Sequence, residues 1–496
     1  MARQEICDVI IIGGGSAAFE AAVAARQAGA EKVIMLEKSP IEQFGGNARH
    51  SHTGFRCVYK DADDIRRIVR NIDEESLSQF HLPGYSSDDF VNDLNRVTEN
   101  RIDQELARLI ADESLEAVCW MGDLGIKFEP EKHIPINGRY FFEPGIIVHT
   151  EGGGLGQVMK WKELGEEWDV DFRCDAKVVG FIGDHRKVEG VTVASGDENY
   201  ELKGGALIVC AGGFQANSEM RARYLGPNAD LMKVRGSIYD TGEVLNMLLE
   251  IGAKATGHWQ GAHATPIDAN AKDGAIPLRE DGHGNSANRY DYMFGITINS
   301  LGQRFYDEGE SNHSYTYAKT GRAVLAQPAG VGFQIYDQKG ISLFRLGAEY
   351  TDTYQEAGTL TELASKIGMQ VEILNHTVEN FNAACSKDVD FDPTRLDGKS
   401  TRNISPPKSN WAEPLTEPPF RAYPITCGIT FSFGGVGINT DCQVINNSNV
   451  PIEGLYASGD IVGLFFHNYP SCTGQTRNAV FSYKAGQNAA KYAATV

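Results

Sequence analysis

The chain has 496 residues, 46 basic and 66 acidic, for a formal net charge of −20. Its 42 % hydrophobic and 23 % charged residues are a globular balance, and the length suits about two to four domains around a large core. The acidic excess argues against nucleic acid as a main partner and requires any bound anion to be held by local cations or backbone dipoles.

Other simple features narrow the field. No apolar run reaches the roughly 18 residues of a spanning helix, so no integral membrane segment is expected. Residues 1–5 lead directly into an apolar strand pattern, which leaves no room for a cleavable signal and predicts a cytoplasmic protein. The nine cysteines are scattered and form no CxxC pair, so reduced thiols and no metal site are expected.

Residues 7–12 form a β-branched apolar run that ends in Gly13-Gly14-Gly15. Residues 16–29 follow with helical spacing, many alanines and a glycine stop; residues 32–36 return to a strand that ends at Glu37. This is a βαβ opening, which places ligands at the carboxyl ends of its strands. Residues 45–54 have loop composition, and 60–130 are charged and helical in texture. Residues 170–209 alternate through short strands and close on a glycine turn at Ala211-Gly212-Gly213. Residues 215–365 lack the strand–Gly–helix grammar and read as an inserted domain. Residues 388–414, rich in Asp, Pro, Ser and Asn, read as a long surface excursion. Strand, turn and helix return at 454–460 and 480–490, and no solenoid repeat is visible.

Gly13-x-Gly15-x-x-Ala18, set between strand and helix, is the strongest signal. Gly13 permits the tight turn and Gly15 a close approach of backbone to a pyrophosphate. Ala18 lets helix and strand pack, and the helix start at Ser16 and Ala17 supplies N–H donors. Glu37, followed by Lys38, would accept hydrogen bonds from a ribose. Gly152–Gly156 does not follow a clean strand and reads as a helix start packed near the cofactor. Gly459-Asp460 suits the other half of an FAD site: its carboxylate can bind the ribityl chain, and the next helix start can face the flavin ring.

These residues resemble the flavoprotein superfamily of fumarate reductase and succinate dehydrogenase over nearly the whole chain. The shared marks are Gly13–Ala18 with Glu37, Gly45-Gly46-Asn47, Ala211-Gly212-Gly213-Phe214, Arg304–Glu308 and Gly454–Asp460. Within it the sequence most resembles tricarballylate dehydrogenases, through His263-Ala264-Thr265, Tyr315–Lys319 before Gly321-Arg322, Thr426–Phe431 and His467–Pro470. The resemblance implies an α/β fold: a Rossmann-like FAD-binding domain of glutathione-reductase type with an inserted α+β capping domain. The expected division is 1–230 and 366–496 for the FAD domain and 231–365 for the cap. It further implies hydride transfer between a substrate carbon and flavin N5, with a neighbouring acid/base. His50 and His52 fall near a flavin attachment point of some relatives, but their surroundings differ, so the FAD is expected to be non-covalent.

The catalytic positions depart from the relatives. Where the resemblance implies an arginine proton donor, this chain has Asn312 and His313. Asn312 cannot exchange a proton and is expected to touch substrate; His313, with an ordinary pKa of about 6.5, is the expected acid/base. Tyr315 and Tyr317 are its substitutes. A carboxylate-gripping arginine aligns near Tyr469, whose Tyr-Pro pair resembles that of 3-ketosteroid Δ1-dehydrogenases. There a tyrosine hydroxyl and a glycine N–H polarise a ketone, roles that fall on Tyr469 and Gly474. Cys472 and Thr473 depart from the glycine-rich loop of both families. His263 and Thr430 would orient a substrate oxygen, and Arg289, Arg322 and Arg477 remain as cationic candidates, Arg477 foremost.

Three functions stay open: desaturation of a small polycarboxylate such as tricarballylate, dehydrogenation or ene-reduction beside a ketone in a specialised metabolite, and an inactive flavoprotein. No haem-attachment CxxCH is present, so electrons must pass to or from a separate quinone, nicotinamide, oxygen or redox protein.

Overall fold

Val9 to Ile12 are completely or almost completely buried, because the strand they form is flanked on both sides and covered on both faces. A computed structural model describes the chain except residues 1–3, 132–134, 137–138, 142–144, 197, 275, 277, 280–283, 285 and 345–352. In it the strand Gln4–Ile12 pairs in parallel with Val33–Leu36, Ile12 opposite Leu36, and with Glu198–Val209, Ile12 opposite Val209. Val170–Arg173 extends the sheet beyond Val33–Leu36. Pro451–Ala457 joins from far along the chain, with Ala457 opposite Val209. This register lines up Gly13, Glu37, Cys210 and Ser458 at one carboxyl edge, where an α/β sheet opens a ligand crevice. The helix Ser16–Gln27, rich in small alanines, packs closely against the last helix, Thr473–Ala493.

A second sheet is centred on the long strand Phe420–Ser432. Ala262–Asp268 and Val331–Tyr336 run antiparallel to it on either side, and Ile296–Asn299 extends the sheet past Val331–Tyr336. This sheet therefore combines strands from the middle of the chain with one from its last third. The helix Tyr317–Leu325 lies on Ala262–Asp268 and carries Tyr317 toward the strand's His263 end.

A small sheet of Gly54–Arg56, Ile146–Thr150 and Phe128–Pro130 joins the last helix, whose Thr476 hydroxyl accepts from the Arg56 N–H (3.1 Å) and donates to the Arg56 carbonyl (2.6 Å). Among the described residues no helix is long and apolar enough to cross a membrane.

The helical texture of 60–130 becomes, among others, the helices Ser87–Val97 and Gln104–Asp123. Two expectations need correction. Segment 388–414 is irregular but not simply a surface excursion: Trp411 is 1 % exposed and donates its indole N–H to the Asp392 and Arg395 carbonyls. The last helix begins at Thr473, well before residue 480, because tertiary packing overrides the weak propensities of Thr473, Gly474 and Thr476.

Candidate flavin and substrate site

A cleft opens at the carboxyl edge of the parallel sheet. Gly13, Gly15, Ser16, Ala17, Glu37, Lys38, Gly46, Asn47, Ala211, Gly212, Gly459 and Asp460 line it. Ala18, Gly45, Gly213 and Gly474 are not among the residues that line it. The turn at Gly13 tolerates only glycine: φ is +126°, and a Cβ would lie 2.3 Å from the Cys210 carbonyl oxygen. Gly212 is similar, with φ +70° and a Cβ position 2.3 Å from Asp240 Oδ1.

The cleft's polar groups are poised for a dinucleotide. The buried Ser16 hydroxyl, at the start of its helix, has no hydrogen-bond partner, as a site awaiting a pyrophosphate requires. Glu37 accepts from the Ser39 N–H (2.7 Å), and burial raises its carboxyl above the usual range. Asn47 ties the flavin loop to three other segments. Its amide donates to the Thr430 carbonyl (2.8 Å) and to Asp460 Oδ2 (3.3 Å), and its oxygen accepts from the Ser237 N–H (3.0 Å). Cradle and donors together fit FAD.

Beyond Asn47 and Thr430 lies a cage of aromatic rings. Tyr317 and Tyr469, both buried, share a hydroxyl–hydroxyl hydrogen bond of 2.7 Å. The His263 ring packs 4.9 Å from Tyr317, 5.1 Å from Tyr469 and 5.3 Å from Phe431, centroid to centroid. Burial, reinforced by Arg235, drives the His263 imidazole well below its usual range, so it is neutral. Both its ring nitrogens are buried without hydrogen-bond partners. Burial also pushes both phenols up, so they serve as O–H donors and not as phenolates.

A cation, Arg235, reaches this cage. Arg235 donates from Nη1 to Thr430 Oγ1 (2.7 Å) and from Nε to Asn288 Oδ1 (2.8 Å), and its guanidinium lies 5.8 Å from the Tyr290 ring centroid. Among the described residues it has no carboxylate partner. His313 sits at the cage edge, 6.0 Å from the rings of both Tyr290 and Tyr317.

Comparison with known proteins identifies the family. The family model described as FAD binding domain matches residues 8–475. This chain belongs to that FAD-binding family. It is 28 % identical over 503 aligned residues to a protein named probable fumarate reductase Ifc3 from Shewanella frigidimarina, across 99 % of this chain and 76 % of that one. A urocanate reductase from Eggerthella lenta is 26 % identical across 98 % of this chain and 75 % of its own. A solved structure of 3-ketosteroid Δ1-dehydrogenase from Sterolibacterium denitrificans superposes with a TM-score of 0.74, at 19 % identity, over 99 % of this chain and all of that one, and so shares the fold. The protein is an FAD-dependent oxidoreductase, and its likeness to the fumarate reductase superfamily is borne out.

Within this family site, the expected residues separate into two groups. His263, Tyr317, Tyr469 and Thr430 come together, with His313 at their edge. Tyr315 turns away: its hydroxyl donates to Asp93 (2.9 Å), and Arg96 stacks 4.1 Å over its ring. Asn312 contributes its carbonyl to the turn before the helix, accepting from the Tyr315 N–H (3.0 Å). Gly474 lies in the first turn of the last helix, with open space beside it.

None of the three cations named from the sequence is available. Arg289, fully buried, pairs with Asp268 (3.3 Å). Arg322 donates to the Gln260 and Leu225 carbonyls. Arg477, also buried, is bound to Asp460. Arg235 went unnoticed because it belongs to no motif; only the pairing of Lys233–Val234 with Phe420–Ser432 brings it beside Thr430. Asp240 was missed for the same reason. It lines the cleft, accepts from Gln215 Nε2 (2.7 Å), and is pushed well above the usual carboxyl range by burial and by Asp460 and Glu37.

Proposed function

We propose that this enzyme interconverts a carbon–carbon double bond and a CH–CH bond next to a carboxylate or carbonyl, with FAD held non-covalently. The observation that carries the reading is a buried cage of uncharged His263, Tyr317 and Tyr469 reached by a cation with no carboxylate partner among the described residues. FAD, when bound, supplies or takes up the hydride at N5. Arg235, with Thr430, grips the substrate's activating oxygen or carboxylate, since a charged donor in a water-poor site binds developing negative charge strongly. His263, neutral and with a free N–H, donates to the same group.

The tyrosine pair adds a further donor. One of its two hydroxyl protons is used between the rings, which leaves the other for a substrate oxygen. His313 delivers or removes the proton on the carbon next to the one exchanging hydride. The fumarate and urocanate in the relatives' names are both double bonds conjugated to a carboxylate, which supports the acidic substrate class. The Tyr469-Pro470 pair and its bond to Tyr317 support a second reading, a ketone substrate polarised by the tyrosines. The electron partner in either case is a separate quinone, nicotinamide, oxygen or redox protein.

Anaerobic photoreduction followed by addition of fumarate, aconitate or cyclohexenone tests the proposal through flavin reoxidation. Rapid reoxidation by an unsaturated acid supports the first reading and by the enone the second. If none of them reoxidises the flavin and no saturated counterpart bleaches it, the CH–CH assignment is lost.

A further inference from the structure

Three residues far apart in sequence, His52, Glu131 and His149, converge on the small sheet built from Gly54–Arg56, Ile146–Thr150 and Phe128–Pro130. His149 pairs with Gly54 on one side and with Glu129 on the other, and Glu131 follows directly after its strand. Glu131 Oε1 lies 2.9 Å from His52 Nε2 and 3.4 Å from His149 Nδ1. One ligand atom from each residue falls within 4.8 Å of the others. Ligands about 2.0–2.1 Å from a tetrahedral metal are spaced about 3.3 Å apart, so these separations suit a single ion.

We propose that His52, Glu131 and His149 bind one divalent cation of the zinc type, with a fourth position left to water. Two imidazoles and one carboxylate are a borderline donor set, which favours zinc over calcium or magnesium. The outer contact has the matching form: His149 Nε2 lies 3.3 Å from Glu129 Oε2, and a metal-bound imidazole commonly directs its second nitrogen to a carboxylate. Glu131 and His149 are largely buried, whereas the His52 side chain is 41 % exposed, which gives an ion a path in. The sequence carries no zinc signature because the donors stand at positions 52, 131 and 149, joined only by strand pairing. The site draws on none of the residues assigned to substrate and is independent of that assignment. A bound ion would clamp the loop that leads from the flavin turn at Gly45–Asn47 to the small sheet.

The flavin-loaded protein, treated with chelator and dialysed against micromolar zinc, gives the test by elemental analysis and melting temperature. Wild type should retain one zinc per chain and melt higher with zinc than without it. Glu131→Gln and His149→Ala should bind zinc at least about tenfold more weakly and lose that rise while keeping their flavin absorbance. His52→Ala, at the most exposed ligand, provides the same reading should the buried variants fail to fold. His376→Ala, at an exposed histidine on the helix Val371–Ala384, should leave zinc binding unchanged. No zinc on the wild type, or equal zinc and equal stabilisation in the ligand variants, overturns the proposal.

Discussion

Removing the charge at Arg235 is the most direct probe of the substrate site. Arg235→Gln keeps an amide that can still reach Thr430 Oγ1 or Asn288 Oδ1, the two neutral acceptors at 2.7 and 2.8 Å. No described carboxylate is left unpaired by the change, so the fold and the flavin content should survive it. A hydrogen bond between charged groups contributes about 1.5–3 kcal/mol, which corresponds to roughly 10- to 150-fold in kcat/KM for an anionic substrate. Because the guanidinium holds the activating group, on which negative charge develops, the loss should appear in kcat as well as in KM. A neutral enone should lose less than about tenfold, since it offers no full charge to the lost cation. Arg235→Lys should recover part of the activity, as it restores the charge without the planar fork. Steady-state kinetics with an artificial electron donor on both substrate types provide the measurement. If Arg235→Gln stays within about threefold of wild type on an acid that the enzyme turns over, Arg235 does not hold the substrate and the reasoning from its missing counter-ion fails.

Glu20, wholly buried under the parallel sheet, has its carboxyl pushed up to about 8 by burial. The folded state therefore holds a proton that the unfolded chain releases near its ordinary carboxyl pKa. Stability should fall as pH rises between those two values, by up to about 1.4 kcal/mol per unit, and level off above the folded value. Glu20→Gln should flatten this slope in denaturant melts; parallel wild-type and variant curves would count against it. Tyr317→Phe leaves Tyr469 without its hydroxyl partner and should slow flavin reoxidation by substrate about tenfold or more without loss of FAD; an unchanged rate would take the pair out of the mechanism. His313→Ala should slow turnover by about 10²- to 10⁴-fold while leaving flavin binding intact, and normal turnover would return the acid/base role to another group. Gly13→Ala should yield protein that lacks flavin or fails to fold, because its Cβ has only 2.3 Å to the Cys210 carbonyl oxygen; a fully yellow variant would show that the turn can shift.

The cofactor half of the site could be read from short segments because its constraints are local. A turn with φ of +126° and no room for a Cβ demands glycine at position 13 wherever the rest of the chain goes. The next strand ends beside that turn, so Glu37 arrives by covalent distance and parallel register alone. Asp460 was legible for a related reason: it follows a strand that stops at the same sheet edge. The substrate half was only partly legible. His263, Thr430 and Tyr469 stood in recognisable segments, and their convergence was expected from resemblance. The direction each side chain takes was not, and Tyr315, two residues before Tyr317, faces Asp93 instead of the cage.

Charge pairing separates what sequence and tertiary structure each decide. The chain's order of residues establishes the dinucleotide turn and the acidic strand end, and it offers several arginines. Folding alone decides where each one falls. Arg289 and Arg477 fall beside carboxylates, Arg322 beside backbone carbonyls away from the cage rings, and Arg235, which no motif marks, beside Thr430 and Asn288 with no carboxylate partner among the described residues. Such pairings depend on contacts between segments up to about two hundred residues apart, and on the distance and burial that set an electrostatic interaction's strength. A linear sequence carries neither quantity.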